Sequence, residues 1–138
     1  MKTRTLMTVS SFILGCAGIF ALFAPHELLA ASGSPLTNPL PVITQLMGVL
    51  YLSFAFTNWT AKDSLIGGIY SRPISLGNFT HFIVGALVLT KYHLSGGVNT
   101  PLLVVLIVYA IFAIIFGWLV FVHSGIADKH EVQEKPLP

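Results

Sequence analysis

Five histidines, five carboxylates and one cysteine are the chain's stock for acid–base, nucleophilic or metal chemistry. His81 stands out among them. It lies seven residues beyond Ile74 in an apolar stretch, ~10 Å along a helix that rises 1.5 Å per residue. An ionisable side chain at that depth in hydrocarbon is a functional candidate by default. Asn78, Asn58 and Ser53 are the polar residues expected at a similar depth. Asn78, His81, Gly85 and Tyr92 follow one another at intervals of 3, 4 and 7 residues, so at 100° per residue they share a stripe that should face other helices. The simpler role for His81 is a neutral imidazole that hydrogen-bonds an Asn, Ser or Tyr and holds two helices together. The other role is ligand binding.

Other chemistries are restricted by position. Axial ligation of haem needs two histidines at one depth on facing helices. Counted from the opposite ends of their helices, His81 and His123 miss each other by ~13 Å. His26, Glu27 and His93 share one end of the chain's apolar segments and are read as separate solvated loop ends, so no metal is expected. All five carboxylates, Glu27, Asp63, Asp128, Glu131 and Glu134, fall at or beyond the apolar segments. Proton-coupled antiport of the small multidrug kind needs a carboxylate inside the first helix, and none is there. Cys16 sits among Gly15, Ala17 and Gly18 with no histidine beside it, which predicts an inert, buried thiol. A lone cysteine also excludes an internal disulfide and a dithiol relay. No catalytic residue emerges.

The elements that must position these groups are legible in composition. Of 138 residues, 54% are hydrophobic and only 9% charged, where a soluble domain carries about 25% charged residues. The mean hydropathy is +0.82. Four stretches, about 6–24, 41–59, 74–94 and 101–123, can each cross a hydrocarbon core that takes about 20 helical residues. The apolar run continues past Cys16 through Ala24, which argues against cleavage of a signal peptide. The expected fold is all-α: a four-transmembrane-helix bundle in up-down-up-down order, one domain over 1–127 with a polar tail at 128–138.

Between the spans lie Pro25, the turn-rich run ASGSPLTNPLP and the Ser95-Gly96-Gly97 turn before Pro101. The longest connection, TAKDSLIGGIYSRP, mixes charges with apolar residues and should lie on the membrane surface. Lys62 and Arg72 there, with Gly67-Gly68, could meet a lipid phosphate, although Gly-Gly is first a turn signal. Lys2, Arg4, Lys62, Arg72, Lys129 and Lys135 fall on one side of a four-span chain and Lys91 alone on the other. By the positive-inside rule both termini are cytoplasmic, with Trp59 and Trp118 near that interface. A net charge of +2 is too small and too scattered for a nucleic-acid partner.

Helical spacing also predicts faces. Ser11, Gly15, Gly18 and Leu22 share one on the first span. Thr44, Tyr51 and Asn58 recur every seven residues on the second, beside Gln45, Gly48, Leu52, Ala55 and Trp59. Tyr109, Ala113, Phe116, Val120 and His123 share one on the fourth. Small residues at such spacing are packing surfaces first.

The four spans, the Pro-rich first external loop and the run GVLYLSFAFTNWTAK resemble the DoxX/DoxD-like superfamily of small four-helix membrane proteins. That resemblance covers most of the chain through hydropathy and length. It implies a four-helix fold in a grouping that includes quinone-linked oxidoreductase subunits, and it transfers no catalytic residue. The expectation is a protein of the bacterial inner (plasma) membrane, a non-enzymatic accessory or scaffold subunit partnered by other membrane proteins or by copies of itself. The alternative is a binder of a small apolar ligand, a quinone or a lipid, among His81, Asn78, Asn58, Tyr51 and Trp59. Transport is disfavoured without an intramembrane carboxylate or paired broken helices.

Overall fold

The computed structural model describes residues 3–63, 71–97 and 99–123. Gly67-Gly68, the tail at 128–138 with Lys129 and Lys135, and the side chain of His123 lie outside the described residues. Every element among them is helical: α1 (Thr3–Phe23), α2 (Pro25–Ala31), α3 (Leu40–Ala61), α4 (Ser71–Leu94) and α5 (Thr100–Trp118), with α5 running on through a π-helical turn, Leu119–His123. Four helices are long and apolar enough to cross a membrane, over Arg4–Phe23, Leu40–Ala61, Arg72–Leu94 and Thr100–Phe121. These bounds match the expected spans to within a few residues.

The helix ends follow from local chemistry. Pro25, Pro41 and Pro101 occupy the first turns of α2, α3 and α5, where the missing N–H removes no hydrogen bond. At the other ends, α2 and α4 close at Gly33 (φ 70°) and Gly96 (φ 89°). The N–H of the following residue reaches back five positions in both cases, Ser34 to Leu29 and Gly97 to Tyr92. That closure needs the left-handed backbone that glycine adopts without penalty. The short α2 was not expected: Pro25 marks the end of α1, but a proline also suits the first turn of the next helix.

The long helices pack as two tight pairs. α1 lies on α3 through small residues, and the contacts run in opposite sequence directions, from Arg4 near Asp63 to Leu22 near Gln45. A Cβ placed on Gly18 would stand 2.9 Å from the Gly48 carbonyl oxygen, and one on Gly48 would stand 2.8 Å from that of Gly18. Only two glycines permit this approach. The Ser11 hydroxyl donates to the Ala55 carbonyl at 2.7 Å and Gln45 Nε2 to that of Leu22 at 3.1 Å. The predicted face Ser11, Gly15, Gly18, Leu22 is therefore the α3-facing surface of α1. In the second pair, the Tyr109 ring of α5 lies on Gly85 of α4, and the Phe79 ring lies on Gly117.

The pairs join through rings. Phe82, Phe112 and Phe116 stack at centroid distances of 4.8 to 6.2 Å and form one buried cluster with Leu6, Met7 and Leu14 of α1 and with Ala55. This join is uneven along the bundle. On α4 the last buried residue is Ala86 and on α5 the first is Phe112, so over 87–94 and 100–111 no face of either helix is fully covered. In this part of the bundle the Tyr109 hydroxyl donates to that of Tyr51 on α3 at 2.9 Å, and Asn99 Nδ2 reaches the Ala31 carbonyl at 3.4 Å.

Three expectations are corrected. Cys16 is exposed on the outer face of α1, because Gly15 and Gly18 take the α3-facing positions on either side of it. Tyr92 is 46% exposed and packs on the Gly97 turn; the α4 stripe stays inside only as far as Gly85. Ser53 is exposed and bonds the Val49 carbonyl of its own helix, so it is no partner of His81. With its thiol outside the helix contacts, Cys16→Ala or Cys16→Ser is expected to leave expression and assembly nearly unchanged, as judged by yield and size-exclusion profile. Loss of a covalent group or of the assembled species on substitution would contradict this.

Candidate functional site

Two polar clusters occupy the interior, and they differ in how completely they are closed. The first joins three helices. Asn58 Nδ2 of α3 donates to Asn78 Oδ1 of α4 at 2.8 Å, and Asn78 Nδ2 donates back to Asn58 Oδ1 at 2.6 Å. The second hydrogen on each amide is also used: Asn58 Nδ2 donates to Ser10 Oγ of α1 at 3.0 Å and Asn78 Nδ2 to the Ile74 carbonyl at 2.9 Å. Ser10 Oγ in turn donates to the Met7 carbonyl at 3.0 Å. Ser10, Asn58 and Asn78 are all 0% exposed, and every side-chain donor among them has an acceptor. Burial in hydrocarbon leaves no water to satisfy such groups, so the reciprocal amide pair is the arrangement in which both residues can be this deep.

The second cluster lies a turn away along α4. His81 Nε2 is 3.1 Å from the Tyr109 hydroxyl of α5, which donates to the Tyr51 hydroxyl of α3 at 2.9 Å. The imidazole is enclosed by rings, with Phe54, Phe82, Tyr109 and Tyr51 at centroid distances of 4.9, 5.1, 5.3 and 5.6 Å. His81, Tyr51 and Tyr109 are each only half-buried. The expected interhelical bond of His81 is therefore made to a tyrosine. Asn58 and Asn78, placed at similar depth as its partners, bond each other instead.

Trp59 belongs to neither cluster. It is 42% exposed, meets Phe12 of α1 edge to face at 5.9 Å and carries the Lys62 ammonium 3.1 Å above its ring. Lys62 is thus held by a cation–π contact, while Arg72 is exposed. Arg4 Nε and Asp63 Oδ1 pair at 3.0 Å across the α1–α3 ends. With both partners well exposed, this pair adds little stability. Among the described residues no group of three His, Cys, Asp or Glu side chains could hold a metal ion.

Tyr109 is the residue of this interior whose part was not foreseen. Its face on the fourth span was legible, but nothing in the spacing says that its hydroxyl reaches His81. The signal that could have found it is Gly85, one turn beyond His81, where the absent side chain admits a ring from the neighbouring helix. Because the Tyr109–Tyr51 bond survives without the imidazole, His81→Leu is expected to destabilise the bundle only by about 0.6 kcal/mol, the average for an interhelical hydrogen bond in a membrane. Equilibrium unfolding in bicelles measures this. A loss of several kcal/mol would assign His81 a larger structural part.

No family model matches the chain, and neither a curated protein nor a solved structure matches it.

Proposed function

We propose that the chain is a small integral protein of the bacterial inner membrane that acts as a non-enzymatic accessory or scaffold subunit of a larger membrane assembly. The observation that carries this reading is the closed Asn58–Asn78–Ser10 cluster: the deepest polar side chains are used up in joining α1, α3 and α4 and present nothing to a substrate. The long helices meanwhile carry large apolar side chains outward along their length, Phe20, Leu50, Leu87 and Ile114 among them, each more than 60% exposed. Lipid or a neighbouring membrane protein can cover such faces equally well. The four-helix layout resembling the DoxX/DoxD-like superfamily fits a subunit of this kind.

Purification from native membranes in mild detergent, with quantitative mass spectrometry, tests the reading. The expected result is one or more other membrane proteins at a fixed ratio to this chain, retained through a second column. Recovery of the chain by itself, or only with further copies of itself, would overturn it.

In the proposed topology the chain crosses up-down-up-down with both termini cytoplasmic, supported by six Lys and Arg on one side against Lys91 on the other. A reporter fused after Pro138 is expected to be active only in its cytoplasm-reporting form. A periplasmic signal there would make the number of crossings odd.

A second reading, a binder of a small apolar ligand such as a quinone or a lipid, is favoured by one observation: the His81–Tyr109–Tyr51 cluster is polar, hydrogen-bonded and only half-buried.

A further inference from the structure

The hydrogens of the His81 cluster can be counted. Tyr109 gives its hydroxyl hydrogen to Tyr51, so the bond between Tyr109 and His81 Nε2 takes its hydrogen from the imidazole. A neutral imidazole with hydrogen on Nε2 has a bare acceptor at Nδ1. The chain His81, Tyr109, Tyr51 therefore ends in a free acceptor, Nδ1, and a free donor, the Tyr51 hydroxyl, neither with a partner among the described residues. The Asn58 cluster, one turn away, has no such loose ends. Unpaired donors and acceptors are costly in hydrocarbon.

We propose that these two ends bind the hydroxyl group of a neutral membrane lipid alcohol, which accepts from Tyr51 and donates to His81 Nδ1. The proposal rests on the second, ligand-binding reading above and names the ligand class. A hydroxyl is the smallest group that both accepts and donates at one atom. The Tyr51 and His81 rings meet edge to face with centroids 5.6 Å apart, and both side chains bond the Tyr109 hydroxyl, so the two ends belong to one side-chain cluster. Access is lateral: no residue of α4 over 87–94 or of α5 over 100–111 is fully buried, and an acyl chain can lie along these exposed side chains.

Depth selects the class. His81 is ten residues from Ser71 and thirteen from Leu94, near the middle of its helix, where a charged phosphate headgroup is excluded by its desolvation cost. An uncharged alcohol such as a diacylglycerol or a long-chain alkanol meets no such penalty.

The test uses the full chain in detergent, with adducts counted by native mass spectrometry. The probes are 1,2-dioleoylglycerol and 1-hexadecanol. Trioleoylglycerol and hexadecyl methyl ether serve as controls, since both keep the apolar body and lack the donor hydrogen. Each alcohol is expected to bind about tenfold more tightly than its control, and Tyr51→Phe to remove most of that difference, one hydrogen bond being worth about that factor. His81→Leu should do the same. Tyr51→Phe deletes one oxygen and leaves the ring packing, so it keeps the test valid even if His81→Leu assembles poorly. Preference for dioleoylglycerol alone or for hexadecanol alone supports the hydroxyl site and identifies the body it accepts. Equal binding of alcohols and controls, unaffected by Tyr51→Phe, overturns the hydroxyl assignment while the apolar-ligand reading survives. No binding of any probe overturns both.

Discussion

Asn58→Leu is expected to destabilise the bundle by about 2 kcal/mol, from the loss of three side-chain hydrogen bonds at about 0.6 kcal/mol each. The figure is large for a membrane protein because the loss is concentrated in one residue: Asn58 bonds Asn78 twice and Ser10 once, and all three side chains are fully buried. Removing one partner also strands the other, and a stranded buried amide costs more than a bond that never formed. Asn78→Leu should behave alike. The double substitution removes both amides together, so its cost should fall short of the sum of the singles by about 1 to 2 kcal/mol. Unfolding equilibria of the two single variants and the double variant in bicelles give this coupling directly. Costs that simply add would mean that the two amides do not act as a pair.

Gly48→Leu should have the other large effect, a cost of about 3 kcal/mol or failure to assemble. A Cβ on Gly48 meets the Gly18 carbonyl oxygen and the Leu22 nitrogen at 2.8 Å, both rigid helix backbone, so α1 and α3 must move apart along their whole contact. That separation would also weaken the Ser11 to Ala55 and Gln45 to Leu22 hydrogen bonds. Gly15→Ala is the informative control, three residues before Gly18 on the same face. Its Cβ would stand 3.7 Å from that of Ala55, an ordinary contact, and alanine favours the helix, so the change should be neutral or stabilising. Thermal unfolding of both variants separates the cases. Equal tolerance of Gly48→Leu and Gly15→Ala would show that the close approach is not what holds the first pair.

Much of this fold is legible in the sequence, because hydrocarbon simplifies the reading. Long runs without charge can only be helices there, which is why the bounds of the four long apolar helices lie within a few residues of the expected ones. Faces were legible for the same reason that partners were not: spacing fixes an angle around one helix and says nothing about which helix stands opposite. Ser11, Gly15 and Gly18 were placed on one face, yet their match to Gly48 and Ala55 needs the relative register of two helices. Asn58, Asn78 and His81 were all assigned to the interior. That the amides would choose each other follows from their self-complementary donors and acceptors, and His81, displaced along α4, was left to Tyr109. Trp59 flanks the Asn58 stripe by count, but its ring lies outside it, against Phe12. The short α2 escaped because Pro25 ends one helix and begins another, and the sequence marks both events with the same residue.

The reciprocal amide pair also decides which bundle can form. Apolar helices in lipid can slide past one another by a turn at small cost, since one leucine resembles the next and lipid tails resemble both. Two pairs joined only by phenylalanine rings would therefore have several alignments of similar energy. Sliding α4 one turn along α3 would pull Asn78 from Asn58 and break both bonds of the amide pair, leaving Asn58 only Ser10 of α1 and Asn78 only the Ile74 carbonyl of its own helix. The alternative alignments are thus raised in energy far more than the correct one is lowered. Ser10, Asn58 and Asn78 act as the notches of a key, and what they secure above all is that the bundle has one alignment.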